Sequence, residues 1–407
     1  MKKTLWTRNF TILTLGTVIS AIGGTAMSFA LSFVVFDTTG STLISALFLA
    51  ISSLPGIVLP VLVAPYLDNF RRKPVIVGLD YWSGVCYLLF GWYLLGHDFS
   101  LPLYLAFSFL GGCTGAVYSL AYDSLYPNLI PEGFAQKGYT ISGMLYPTVL
   151  MVMTPVASIL YSSWGLAPIC LAEGVLLLAA ATMETQIRVE ERTKKGGRFS
   201  FQDYWQDFKD GFTYLKKEKG LLRIYAYMPI TQGISQATEP LIRAWFRVTP
   251  GMGITKYALF TTAQFIGRTI GGVVHYKYEI PPEKRFSLSY FVYIAYSAMD
   301  TILLWLGVPL MLANRAVCGF LGINSATLRE SSVQNYLPDH MRSKINAVFK
   351  VLYVLVPTML TVAVGALGEI LDYRLCVTLV SALGILPCYL IIWRGREEVK
   401  QIYNRRY

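Results

Sequence analysis

A small set of ionisable side chains interrupts long apolar stretches of this sequence. They are Glu173, Glu239, Arg243, Arg268, Asp300, Arg315 and Lys350. A charge held far from water is costly, so such residues usually bind a substrate, relay protons or neutralise one another. The sequence contains no nucleophile–histidine–acid arrangement, no metal-ligand spacing and no phosphate-binding loop. We therefore expect binding and proton transfer rather than catalysis, with no metal and no cofactor.

Two of the acids have an evident basic partner. Glu239 and Arg243 are four residues apart, which places them on one face of a helix. Asp300 and Arg315 lie at similar distances on either side of a turn at Gly307, so we expect them at similar depth on adjacent antiparallel helices. Pairing offsets much of the cost of burying each charge. These residues are therefore either structural ion pairs or parts of a binding site.

The remaining cations have no evident acidic partner in the sequence. Arg268 and Lys350 are thus candidates for binding an anionic or zwitterionic group of a substrate. The alternative is that these long side chains extend to the membrane interface.

Proton coupling requires an acid whose proton affinity changes as a cavity opens and closes. The candidates are Glu173, Glu239 and Asp300. Tyr146 and Tyr353 occupy equivalent places in an internal repeat, and we expect them to face a central cavity.

Membrane-spanning helices must position these side chains. Hydrophobic residues make up 54% of the 407-residue chain and charged residues 14%, against about a quarter in a soluble domain. Stretches of about 18 or more nearly uncharged residues predict helices that cross the bilayer. About twelve such stretches occur, at residues 9–35, 42–66, 75–96, 101–124, 139–163, 166–187, 220–244, 254–276, 286–306, 308–330, 344–367 and 374–393. We therefore predict an all-α polytopic membrane protein.

Lys and Arg cluster at the N-terminus, in alternate connections and in the C-terminal tail. The positive-inside rule then places both termini in the cytoplasm. Juxtamembrane cations that face anionic lipid headgroups account for the net charge of +11 without a nucleic-acid partner. We expect a multi-pass protein of the plasma membrane.

A polar segment at 188–219 divides the predicted helices into two sets. The aromatic spacing of FQDYWQDFKDGFTYL within it predicts an amphipathic helix on the membrane surface. The similar segments NLIPEGFAQK (128–137) and NYLPDHMRSK (335–344) indicate a duplicated six-helix unit. The predicted domains are an N-terminal bundle (1–187), the linker (188–219), a C-terminal bundle (220–394) and a basic tail (395–407). The two bundles should be related by pseudo-two-fold symmetry.

The stretch APYLDNFRRKPVIVGLD, between the second and third predicted spans, resembles the signature of the major facilitator superfamily. Asp68, Arg72 and Lys73 fall on the acid and two of the cations of that signature, while positions 64, 69 and 71 depart from it. Asp80 and the stretch GYTISGMLYPTVLMVMTPVASILYSSW, including Pro155, are similar to the macrolide-efflux branch.

This resemblance implies a cytoplasmic gate. Asp68 is expected to face the positive N-terminal end of a neighbouring helix, and Arg72 to pair with Asp123. The gate candidates are Asp68, Arg71, Arg72, Lys73, Asp80 and Asp123. The alternative is that the cationic turn acts only as a topology anchor.

These features predict a secondary transporter that alternates access to a central site. The favoured activity is proton-coupled efflux of an amphipathic small molecule. The alternative is uptake or flipping of an anionic or zwitterionic metabolite or lipid. A membrane-embedded enzyme and a channel are both disfavoured, since the sequence has neither a catalytic cluster nor a repeated filter. The expected partners are the small-molecule substrate, protons and the bilayer, and we expect a monomer.

Overall fold

A computed structural model describes residues 4–67, 71–131, 134–189, 201–278 and 280–405. Every regular element in these ranges is a helix, which confirms the all-α prediction. The chain forms two compact units, one of Met1–Gly40 with Ile51–Phe199 and one of Ser41–Ala50 with Ser200–Tyr407.

The helices before the linker follow the predicted apolar stretches. They are α1 (Arg8–Thr39), α2 (Thr42–Ser53), α3 (Pro55–Leu67), α4 (Arg72–Gly96), α5 (Leu101–Leu129), α6 (Ala135–Trp164) and α7 (Leu166–Glu184). In the first unit α1 packs on α6 and α7, and α4 packs on α7.

The later helices begin with the linker. They are α8 (Phe201–Lys217), α9 (Lys219–Val248), α10 (Ile254–Lys277), α11 (Pro282–Ile302), α12 (Val308–Tyr336), α13 (Asp339–Leu367), α14 (Tyr373–Leu383), α15 (Ile385–Pro387) and α16 (Arg396–Tyr403). A π-helix at Cys388–Trp393 extends α15, and a 3-10 turn at Leu303–Trp305 follows α11. In the second unit α10 packs on α12, and α9 packs on α13.

Within the described ranges, nine helical segments are long and apolar enough to cross a membrane. The predicted spans 220–244, 254–276 and 308–330 correspond to α9, α10 and α12, which are not among the nine. Their lengths of 30, 24 and 29 residues suffice, but they carry charged residues such as Glu239, Arg243, Arg268 and Arg315. The predicted count of twelve spans is therefore not confirmed.

The linker helix α8 packs against α13 in the second unit. Leu215 is buried in the apolar core of that unit, and Asp210 Oδ2 lies 2.9 Å from Lys344 Nζ. Trp205 and Phe212 remain exposed. Contact of these exposed aromatic side chains with a membrane surface stays a prediction.

A distant carboxylate caps the first turn of α2 within the second unit. Glu369 Oε1 accepts hydrogen bonds from Ser41 Oγ at 2.7 Å, Thr42 Oγ1 at 3.1 Å and the Leu43 amide at 2.8 Å. Partial burial alone would raise the pKa of Glu369, but these hydrogen bonds favour the charged form and lower the pKa below its usual range.

Candidate functional site

The first unit holds a group of three buried carboxyl groups. Asp80 on α4 and Glu173 and Glu184 on α7 are 5%, 3% and 1% exposed. Asp80 Oδ2 and both carboxyl oxygens of Glu184 are buried without a hydrogen-bond partner in the described residues, and the two carboxyl groups are close enough to interact electrostatically. No ion-pair partner for any of the three is found in the part of the chain that the structure describes. We call Asp80 and Glu184 the carboxyl pair.

Close packing of α4 on α7 brings the carboxyl pair together. A Cβ on Gly84 would lie 3.1 Å from the Gly174 carbonyl oxygen, and one on Gly174 would lie 2.9 Å from the Gly84 carbonyl oxygen. Small residues let membrane helices approach this closely. The same approach places residue 80, one turn before Gly84, beside α7.

Two glycines of α1 make room for the glutamates. A Cβ on Gly16 would lie 2.6 Å from Glu184 Oε1, and a Cβ on Gly23 would overlap Glu173 Oε2. Gly16 and Gly23 are seven residues apart, and Glu173 and Glu184 are eleven apart, so each pair occupies one helix face. The sequence alone contained this spacing, which is the signal by which Glu184 could have been found.

The two predicted ion pairs form in the second unit, which confirms both. Arg243 Nη2 lies 2.5 Å from Glu239 Oε1, and Tyr257 donates to the same oxygen at 3.2 Å. Arg315 pairs with Asp300, and their side chains are 6% and 12% exposed. Asn314 Oδ1 also accepts from Arg315 Nη2 at 3.2 Å.

The second unit contains a cavity of about 240 Å³, which we call the C-terminal cavity. Of the predicted binding residues, Arg268, Asp300 and Tyr353 line it. Arg329, which was not among the predicted site residues, lines it as well. Arg329 is seven residues before the end of α12 and lies at the end of the predicted span 308–330.

Hydrogen bonds order the walls of the C-terminal cavity. Tyr353 donates to Gln232 Oε1 at 3.0 Å, and Gln264 Nε2 donates to the Tyr296 hydroxyl at 3.3 Å. The guanidinium group of Arg329 lies near the hydroxyls of Tyr293, Tyr353 and Tyr403.

Other predicted site residues lie elsewhere. Lys350 is exposed on α13 and is not among the residues that line the C-terminal cavity. Tyr146 is 55% exposed. The expectation that Tyr146 and Tyr353 occupy equivalent places facing a central cavity stays a prediction. Glu239 and Arg243 also lie outside the lining of this cavity.

The gate candidates are only partly described. Asp68 lies outside the described residues. Arg71 directly precedes α4, and Arg72 and Lys73 belong to its first turn. Lys73 Nζ donates to the Thr185 carbonyl at 2.7 Å. The pairing of Arg72 with Asp123 stays a prediction.

Comparison with protein families gives a direct result. The model of the Major Facilitator Superfamily matches residues 13–307 of the 407-residue chain. The chain belongs to the Major Facilitator Superfamily. This membership confirms the resemblance seen in the sequence, and it identifies a transporter, a class of protein that is not an enzyme.

Curated relatives of this chain are named as efflux proteins. Macrolide efflux protein A of Streptococcus pyogenes is 25% identical over 285 residues, which cover 66% of this chain and 67% of that protein. Macrolide efflux protein A of Enterococcus faecalis is 25% identical over 224 residues, which cover 51% and 65%. The predicted likeness to the macrolide-efflux branch is therefore confirmed.

Solved structures of superfamily-like transporters share the fold. The nucleoside transporter NupG gives a TM-score of 0.70 at 10% identity, covering 94% of this chain and 98% of that one. A bacterial homologue of the iron transporter ferroportin, in an inward-facing state, gives 0.66 at 15% identity, covering 99% and 100%. At these identities the likeness concerns the fold alone.

Proposed function

We propose that this protein exports an amphipathic small molecule in exchange for protons. The observation that carries the proposal is the buried carboxyl pair of Asp80 and Glu184. The printed names of the curated relatives support export of a small molecule.

A carboxyl pair of this geometry is suited to carrying one proton. A carboxylate only accepts hydrogen bonds, so two neighbouring carboxyl groups can hydrogen-bond to each other only when one of them carries a proton. Two full negative charges in a water-poor site without a cation would be very costly. Entry of water from one side of the membrane would allow the proton to leave, and closure of the site would require a proton to return.

Glu173 extends the proton route along α7. It lies eleven residues before Glu184, which is roughly 16 Å along the helix at 1.5 Å per residue. Its Oε2 atom is buried without a hydrogen-bond partner in the described part of the chain. We assign Glu173 to a deeper position on the proton route and the carboxyl pair to its end near the last residue of α7.

The proposal gives Asp80 a role other than the gate that the sequence resemblance implied. Asp80 is buried against Glu184 rather than exposed in the connection between α3 and α4. The two roles differ in one testable property. A proton-carrying acid should control the ratio of proton flux to substrate flux. A gate residue should change the rates of both fluxes together and leave their ratio unchanged.

Purified protein in liposomes that enclose a pH-sensitive dye tests the proposal. An imposed proton gradient is combined with a panel of amphipathic cations, zwitterions and anions that includes a macrolide. We expect compound-dependent proton movement that is lost in Glu184→Gln and Asp80→Asn. The control Glu397→Gln removes an exposed carboxylate of α16, whose side chain is 70% exposed, and should retain it. Absence of compound-dependent proton movement in the wild type, despite saturable substrate counterflow, would refute proton coupling.

A further inference from the structure

We propose that the C-terminal cavity binds the oxyanion group, a carboxylate or phosphate, of an amphipathic molecule. Arg268 and Arg329 are the residues that would hold it. The binding of this molecule does not depend on the proposed function. Its identity as the transported substrate does rest on that function.

The charge of the C-terminal cavity is the first support. Asp300 is the acid that lines it, and Asp300 is neutralised by Arg315. In the ranges that the structure describes, neither Arg268 nor Arg329 forms an ion pair. Glu330 lines a second cavity beside Arg329 but not the C-terminal cavity. Two guanidinium groups therefore face the C-terminal cavity without an ion-pair partner among the described residues that line it, and a bound anion would supply the missing charge.

The second support is the placement of the two arginines. Arg268 precedes the end of α10 at Lys277 by nine residues, and Arg329 precedes the end of α12 at Tyr336 by seven. Gly267 contacts Ala316 and Gly271 contacts Phe320, so α10 and α12 run parallel. Both arginines therefore lie toward the same end of the unit, and both line the same cavity. Planar guanidinium groups bind carboxylate and phosphate oxygens through paired N–H donors.

Close helix packing fixes these positions. A Cβ on Gly271 would lie 2.6 Å from the Phe320 carbonyl oxygen, and one on Gly267 would overlap the backbone at Ala316. The Tyr293 hydroxyl, which lies 2.6 Å from the Tyr403 hydroxyl, is close to the guanidinium group of Arg329. The packing fixes the backbone from which both arginines extend. Arg268 is exposed and Arg329 is half-buried, so both retain donors for a ligand.

The remaining walls indicate the body of the ligand. Four tyrosines line the C-terminal cavity, Tyr227, Tyr293, Tyr296 and Tyr353, together with Gln232 and Gln264. Aromatic walls favour an aromatic or flat apolar group next to the anion. The volume of about 240 Å³ is below the usual range for drug-sized ligands, about 300–1,000 Å³. The cavity therefore suits the anionic end of a larger molecule or a small aromatic anion.

Calorimetric titration of the full-length protein in a neutral detergent tests the binding. The probes are 2-naphthoate, its neutral amide as a matched compound, inorganic phosphate and a short-chain phosphatidic acid. We expect an anionic amphiphile to bind and the neutral amide not to bind. Naphthoate and phosphatidic acid distinguish a free aromatic carboxylate from a lipid headgroup, and inorganic phosphate tests whether the oxyanion suffices alone.

Variants assign the binding to the two arginines. Arg268→Gln and Arg329→Gln should each weaken binding by about tenfold or more, since each removes charge-assisted hydrogen bonds. Arg329→Lys keeps the charge and should weaken binding less. The matched control Arg394→Gln removes an exposed cation that does not line the C-terminal cavity, and it should bind like the wild type.

Some results would overturn the proposal. They are equal binding of the acid and its amide, no binding of any anionic probe, and unchanged affinity in well-folded Arg268→Gln and Arg329→Gln variants. Arginine-dependent binding without proton-coupled transport would leave this proposal standing and refute the proposed function instead.

Discussion

Adjacent glycines of α10 offer a matched test of the packing that shapes the C-terminal cavity. A Cβ on Gly271 would lie 2.6 Å from the Phe320 carbonyl oxygen, 2.7 Å from Ile323 Cγ2 and 3.0 Å from Asn324 Nδ2. A Cβ on Gly272 would meet no heavy atom within 4 Å. Ala should therefore be accommodated at residue 272 and not at residue 271.

The magnitude follows from two opposing effects. Replacing a glycine inside a helix with alanine stabilises the helix by about 0.5–1 kcal/mol. Overpacking a tight contact costs about 1–3 kcal/mol. Because the helix effect is common to both variants, the difference between Gly271→Ala and Gly272→Ala should equal the packing cost, about 1–3 kcal/mol.

Thermal melting of the two purified variants in detergent measures this difference. We expect Gly271→Ala to melt below the wild type and Gly272→Ala to melt at or above it. Binding of an anionic probe should weaken in Gly271→Ala, because α10 also carries Arg268. Equal melting temperatures for the two variants would refute the close contact between α10 and α12.

Three further predictions concern other contacts. Asp300→Ala leaves Arg315 buried without its carboxylate and should lower the free energy of unfolding by about 3–5 kcal/mol. The double variant Asp300→Leu with Arg315→Leu should recover most of the wild-type melting temperature. Failure to recover it would contradict a mainly structural role for this ion pair. Gly23→Ala should disturb compound-dependent proton movement, because its Cβ would displace the carboxyl group of Glu173. Gly24→Ala should not, since the closest contact of its Cβ is 3.7 Å. Equal effects of the two variants would contradict a role for the space that Gly23 leaves for Glu173. Glu369 has a lowered pKa, so its capping contribution should be present at neutral pH and be lost as the pH falls through that lowered pKa. The melting temperatures of wild type and Glu369→Gln should therefore converge in acid, and a gap independent of pH would argue against the cap.

Local spacing rules predicted the parts of the site that depend on one helix or one turn. Glu239 and Arg243 pair because residues four apart share a helix face. Asp300 and Arg315 pair because a short turn sets the depth of both. Such contacts need no knowledge of how distant helices pack.

Contacts between distant helices could not be predicted in the same way. The carboxyl pair depends on the approach of Gly84 to Gly174, which joins α4 and α7. Hydropathy gives the depth of a side chain but not the face on which it lies, which is why exposed Lys350 was predicted for a binding site and Arg329 was missed. α9, α10 and α12 carry polar and charged residues within their apolar stretches and are not among the nine apolar segments found in the described residues, so the number of spans was not confirmed.

The most direct test of the central claim separates coupling from transport in one preparation. Liposomes that contain Glu184→Gln are assayed at the same time for substrate counterflow and for compound-dependent proton movement, with Glu397→Gln as the control. The carboxyl pair predicts that Glu184→Gln retains counterflow and loses proton movement, while the control retains both. Proton movement that persists at the wild-type ratio to substrate in Glu184→Gln would contradict the account.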